Sequence, residues 1–172
     1  MAERPDIILY YFPRACSLAA HIALEEAGYD YSRQLVDLRS KAQKSPEYLA
    51  INPAGAVPAL LIGGQLLTET QAILTFIGDT APAGPLLPPI RHEDRYRAHQ
   101  WMNFLSSSVH VYIRSIFRPS AYAPVGDAPA QAAVKRQGHA NLAAAVAIVE
   151  ARLTGSPFSL GEDFSVVDGY LF

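Results

Sequence analysis

Cys16 is the only cysteine in the chain, and its setting could make its thiol reactive. It follows an unbroken apolar run, Ile7-Ile8-Leu9-Tyr10-Tyr11, which Pro13 and Arg14 break. A helical period starts at Ala15, so Cys16 falls in the first turn of a helix behind a strand and a loop. Unpaired N–H groups and the helix dipole at such a place favour a thiolate over a thiol, and Arg14 adds positive charge nearby. The residue three positions on is Ala19, so no CxxC pair exists and dithiol redox chemistry is excluded. A one-thiol reaction, or a mixed disulfide with a small thiol, remains. A lone cysteine is more often a small buried hydrophobe; the strand–loop–helix junction, where anion sites are built, tips the balance towards function.

Three further groups bear on that thiol. Val57-Pro58 lies just before an expected strand, where proline suggests a tight turn with a cis bond. That geometry would leave the Val57 backbone facing out, ready to pair with a peptide-like ligand. Glu69-Thr70 opens a helix, so free N–H groups and the Thr70 hydroxyl suit a carboxylate while Glu69 suits an ammonium. Asn103 and His110 are seven apart and so share a helix face, which Arg114 continues. A histidine there can donate to a bound thiolate or help deprotonate a thiol near neutral pH. Taken singly, each has an ordinary reading as a trans-proline, an exposed acid at a helix start, or a solvated histidine. The five histidines and Cys16 show no zinc spacing, and no metal is expected. Neither a glycine-rich phosphate loop nor a Ser/His/Asp elbow occurs.

The elements that must position these groups follow from pattern. Residues 7–11 read as a strand covered on both faces. Residues 15–27 read as a helix whose shared face holds Ala15, Leu18, Ala19 and Ile22, stopped at Gly28. Residues 31–37 form a second strand and residues 45–49 a short helix. Residues 59–62 and 65–67 flank Gly63-Gly64, a hairpin signal. Thr68 with Gln71 reads as a capping box for a third helix with Ala72, Ile73, Phe76 and Ile77 inward. A right-handed crossover sets the first two strands parallel and adjacent.

Residues 81–89, with four prolines and a glycine, read as a linker. Beyond them the pattern is helical. Trp101, Phe104, Leu105, Ser108, Val109, Tyr112, Ile113 and Ile116 form one expected buried stripe. Asp127 with Pro129 starts a last long helix, in which Leu142, Val146, Val149 and Leu153 face one way and Gly138 is a weak point. Ser165 and Asp168 form another capping box near the chain's end at Phe172.

At 172 residues, half hydrophobic and 17% charged, the chain can bury a core without disulfide or metal staples. A net charge of −2 argues against nucleic acid or an anionic membrane as the main partner. The N-terminal residues lack the form of a signal peptide, and no apolar run suits a membrane helix. The cytoplasm is the default location.

Four stretches together resemble the bacterial beta-class, cysteine-type glutathione transferases. They are Tyr11-Phe12-Pro13-Arg14-Ala15-Cys16-Ser17-Leu18-Ala19; Asn52-Pro53-Ala54-Gly55-Ala56-Val57-Pro58-Ala59-Leu60; Leu67-Thr68-Glu69-Thr70-Gln71-Ala72-Ile73; and Phe164-Ser165-Val166-Val167-Asp168-Gly169-Tyr170-Leu171-Phe172. The resemblance implies an α/β thioredoxin-like N-terminal domain (1–80), a linker (81–90) and an all-α helical domain (91–172), the pair usually forming a homodimer. It implies glutathione as co-substrate, with Cys16 and His110 at the sulfur. Val57 and Pro58 would pair with the cysteinyl backbone, Glu69 and Thr70 would hold the γ-glutamyl end, and Lys41 would meet the glycine carboxylate. Asn103 would line the sulfur site, and Tyr11 would stand near it.

Thr70 stands where the family more often has serine, and the family's helices beyond Phe172 are absent, which suggests a truncated chain. The function implied is conjugation of glutathione to small hydrophobic electrophiles, with thiol–disulfide exchange through Cys16. The alternative is a non-catalytic glutathione-binding carrier or interaction protein on the same fold.

Overall fold

A computed structural model describes residues 6–172; the reading of the first five residues as no leader falls outside them. The chain runs β1 (Ile7–Tyr11), α1 (Ser17–Glu26), β2 (Ser32–Leu35), α2 (Pro46–Ile51), β3 (Ala59–Ile62), β4 (Gln65–Thr68) and α3 (Thr70–Thr80). The strands form one sheet in the order β2-β1-β3-β4. β1 and β2 are parallel, with Leu9 opposite Arg33, as the crossover rule requires. β3 is antiparallel to β1 and to β4 across the Gly63-Gly64 turn.

Alternation along β1 feeds two cores. Ile7 and Leu9 pack with α1 and α3 on one face, whereas Tyr10 joins Val36, Tyr48, Val57 and Ala59 on the other. The buried face of α1 differs from expectation. It comprises Ser17, Ala19, Ala20, Ala23 and Leu24, because small residues let the helix lie close on the sheet, and Leu18 is left over the cleft described below.

The start of α3 also departs from the expected capping box. Thr68 belongs to β4, and Glu69 is the residue that caps the helix, with φ +67° and no side-chain cap bond. The antiparallel pairing extends through Thr68, opposite Ala59. The helix accordingly begins one residue later than the capping box implies, at Thr70.

Residues 81–92 connect α3 to α4 (Glu93–Phe104), α5 (His110–Phe117), α6 (Ala128–Leu153) and α7 (Val166–Leu171). The proline-rich connection is anchored, with Leu87 buried against Gly78 and the Leu86 carbonyl accepting from Val166 N–H at 3.1 Å. Arg95 of α4 reaches back to Asp79 of α3, its Nη2 donating to Oδ2 at 2.8 Å, and also donates to the Pro88 carbonyl.

The expected continuous helix over residues 101–116 is interrupted. Residues 105–109 form a π-helical turn between α4 and α5, the kind of bulge that recurs at functional sites. Its three serines offer a local cause: the hydroxyls of Ser106 and Ser107 both donate to the Asn103 carbonyl, at 3.1 and 2.7 Å, competing with the backbone ladder. The expected stripe is therefore only partly buried, with Ile113 exposed and Ser115 inside.

In α6 the buried residues are Gly138 and Ala145; of the expected face, Val149 and Leu153 pack against the core and Val146 is exposed. Gly138 is the place where α5 comes closest. A Cβ there would stand 2.9 Å from Ile116 Cγ1 and still closer to the Ser115 hydroxyl. Overpacking costs about 1–3 kcal/mol, against the ~1 kcal/mol of helix propensity that alanine restores. Gly138→Ala is therefore expected to destabilise the fold by about 1 kcal/mol in urea titration; a rise in the midpoint would show that α5 moves aside freely.

Candidate active site

The loop between β1 and α1 is braced by Ser17, fully buried, whose hydroxyl accepts the Phe12 N–H and donates to the Phe12 carbonyl, both at 3.1 Å. This sets Cys16 as the residue that opens α1. A second loop meets it. Asn52, almost completely buried, donates from its amide to the Ala56 carbonyl at 2.9 Å and accepts from Ala54 N–H, and the Tyr48 hydroxyl donates to the same Ala56 carbonyl at 2.7 Å. Gly55 can be no other residue without strain. Its φ is +58°, and a Cβ would stand 2.6 Å from the Gln43 carbonyl oxygen.

These braces deliver Val57-Pro58, whose peptide bond is cis, to the sulfur. Cys16 Sγ donates to the Val57 carbonyl at 3.3 Å. Glu69 and Thr70 approach from the start of α3, near enough that the Thr70 hydroxyl favours the ionised thiol and the Glu69 charge opposes it.

The Cys16 thiol sits above its ordinary pKa, which reverses the sequence expectation. Burial is the largest cause, outweighing the lowering by Thr70 and by the Cys16 and Ser17 N–H groups. Across the cleft, burial and then the neighbouring Arg114 cation push the His110 imidazole below the ordinary histidine range, so it is neutral at neutral pH.

The cleft holds about 910 Å³, and its lining includes Cys16, Val57 and Lys44, Tyr170 of α7, and His110 and Ile113 of α5. The sulfur thus faces an apolar wall carrying a neutral imidazole. Among the described residues no group of metal-binding side chains occurs, and no helix is long and apolar enough to cross a membrane.

The expected site residues divide. Cys16, Val57 and His110 border one cleft, Thr70 reaches the thiol, Pro58 is in the cis bond, and Glu69 is exposed beside them. Asn103 is exposed and off the cleft lining, because the wide turn after it means seven residues no longer complete two turns. Lys41 is exposed and likewise off the lining. It starts a short 3-10 turn in the left-handed region, and the turn carries Lys44 to the cleft in its place. Tyr11 packs its ring on His21, away from the lining.

Sequence reasoning missed Lys44, Tyr170 and the buried Gln43, whose side-chain oxygen has no partner among the described residues. Tyr170 stood in the fourth resembling stretch; Lys44 carried no signal beyond its charge.

The family described as "Glutathione S-transferase, N-terminal domain" matches residues 5–79. The glutathione S-transferase GstA of Escherichia coli O157:H7 is 37% identical over 166 residues, covering 95% of this chain and 78% of that protein. The chain belongs to the glutathione S-transferase family. Solved transferases share the whole architecture. A glutathione transferase homologue from Sulfitobacter, with bound glutathione, superposes with a TM-score of 0.88 at 37% identity, over 97% of this chain and 79% of that one. A sphingomonad glutathione S-transferase complexed with glutathione gives 0.78 at 38%, over 95% and 78%. The thioredoxin-like mixed sheet and the helical region after it in this transferase are therefore the family's fold.

Proposed function

We propose that this transferase is of the beta, cysteine-containing class, and that it binds glutathione along the cleft and presents its thiolate to a small hydrophobic electrophile. The observation that carries the reading is the placement of Cys16 Sγ against the Val57 carbonyl, the acceptor to which an extended tripeptide's central N–H would turn. The γ-glutamyl group lies at Glu69 and Thr70, and the glycine carboxylate at Lys44, in place of the expected Lys41. The cleft's apolar wall takes the electrophile, and His110 donates to the thiolate or accepts its proton. In conjugation the glutathione sulfur forms a bond to the electrophilic carbon as the leaving group departs with its electron pair. In exchange, the Cys16 thiolate attacks oxidised glutathione, making a mixed disulfide and releasing one glutathione thiolate. Two such chains forming a homodimer in the cytoplasm belong to the same reading.

Calorimetric titration with glutathione tests it. The wild-type chain is expected to bind, Lys44→Ala to weaken binding about tenfold through the lost charged contact, and Lys41→Ala to leave it unchanged. Absence of binding at millimolar glutathione would sink the assignment; the reverse order of the two lysines would return the carboxylate to Lys41.

A further inference from the structure

Tyr170 lines the cleft beside Cys16, and the reading above gives it no role. Its position is set from two directions. α7 begins at a reciprocal cap in which the Asp168 carboxylate accepts the Ser165 N–H at 2.8 Å, while its other oxygen accepts the Ser159 N–H at 2.7 Å. The helix then lies on α1 at Gly169, where a Cβ would stand 3.1 Å from Ile22 Cγ2 and 3.6 Å from the Ala19 carbonyl oxygen. A side chain there would have to push Ile22 aside by a few tenths of an ångström, so glycine favours the close approach, and the next residue, Tyr170, borders the cleft that Cys16 lines.

The Thr70 hydroxyl is close to both the Cys16 thiol and the Tyr170 phenol. Burial, the neighbouring Cys16 and Glu69 push the phenol up to about 12. It therefore keeps its proton at neutral pH and remains a donor there. In the neutral state Cys16 gives its own proton to the Val57 carbonyl. Once that proton leaves to solvent, the sulfur can only accept, and a carbonyl oxygen is then the wrong neighbour.

We propose that Tyr170 is a positioning donor for this sulfur, its hydroxyl hydrogen-bonding the Cys16 thiolate beside Thr70 and replacing the Val57 contact of the neutral form. The only bond broken is S–H. The inference rests on ionisation of Cys16 in the cleft but not on glutathione binding, so the two readings fail separately.

Besides Tyr170, the charged and titratable groups around the sulfur's cleft are Arg14 on its own loop, Glu69 at the start of α3, Lys44 near α2, His110 and Arg114 on α5, and Arg118 just after it. Replacing Tyr170 by Phe leaves all of them in place and keeps the ring. The rate of Cys16 alkylation by iodoacetamide is followed against pH in the ligand-free full chain. Tyr170→Phe is expected to move the midpoint up by about one unit and to slow alkylation at neutral pH about tenfold, the scale of one hydrogen bond to a charged group, with the melting temperature unchanged. A midpoint that stays, or moves down, overturns the proposal. Should Tyr170→Phe fail to fold, 3-fluorotyrosine at position 170, a stronger donor of nearly the same shape, is expected to move the midpoint down. An unmoved midpoint there overturns it equally.

Discussion

Cys16→Ala is expected to abolish formation of a mixed disulfide with oxidised glutathione, read by intact mass as loss of the single glutathionyl adduct. Thiol transfer should fall to background, since no second thiol exists in the chain. The pH dependence in the wild type is fixed by the direction of the thiol's shift. Burial raises its pKa, so the reactive thiolate is scarcer at neutral pH than for a free cysteine, and the exchange rate climbs as pH rises through the alkaline range. A rate already level at pH 7 would mean that the helix N-terminus and Thr70 outweigh burial. Conjugation is expected to survive the substitution with an altered pH profile, because the attacking sulfur there belongs to glutathione; an unaltered profile would remove Cys16 from that step.

The largest effect on stability is expected at the ion pair between α3 and α4. The Arg95 side chain is 8% exposed and that of Asp79 35%. Asp79→Ala would strand a guanidinium between the helices, its remaining partners being the Pro88 carbonyl and His99. Breaking a buried pair from one side costs about 3–5 kcal/mol, and the partly exposed carboxylate puts this case near the lower figure. Arg95→Met should cost less, since it removes the charge that needs a partner. The pair also fixes a sign in acid. Arg95 hydrogen-bonds the Asp79 carboxyl and holds its pKa below the ordinary value. Its contribution is fully present above the ordinary carboxyl pKa and is lost as pH falls through the depressed one. Equal urea midpoints for Asp79→Ala and the wild type would show the pair to be energetically idle.

Much of the first half of the molecule was legible because local signals agreed with one another. The Gly63-Gly64 turn, the apolar run of β1 and the crossover rule each pointed to the sheet that is found, while Cys16 and Val57-Pro58 were brought to one ligand only by the family resemblance. What was not legible depended on phase or on competition between forces. Periodicity assumes an unbroken α-helix, so the wide turn at residues 105–109 displaced Asn103 from the cleft without a visible flag beyond three successive serines. The thiol's shift was misread because helix N-terminal N–H groups show in a sequence whereas burial by segments distant along the chain does not. Lys41 and Lys44 differ only by one short turn, and no pattern in the residues says which of them the turn carries inward.

That wide turn divides one long helix into two parts with separate obligations. Upstream, Ala98, Trp101 and Met102 are committed to the interior; downstream, His110, Ile113, Arg114 and Phe117 look into the cleft. Side chains that line the hollow can therefore be exchanged along the second stretch while the packing of the first stays as it is, and the fold keeps its shape as the character of that hollow drifts.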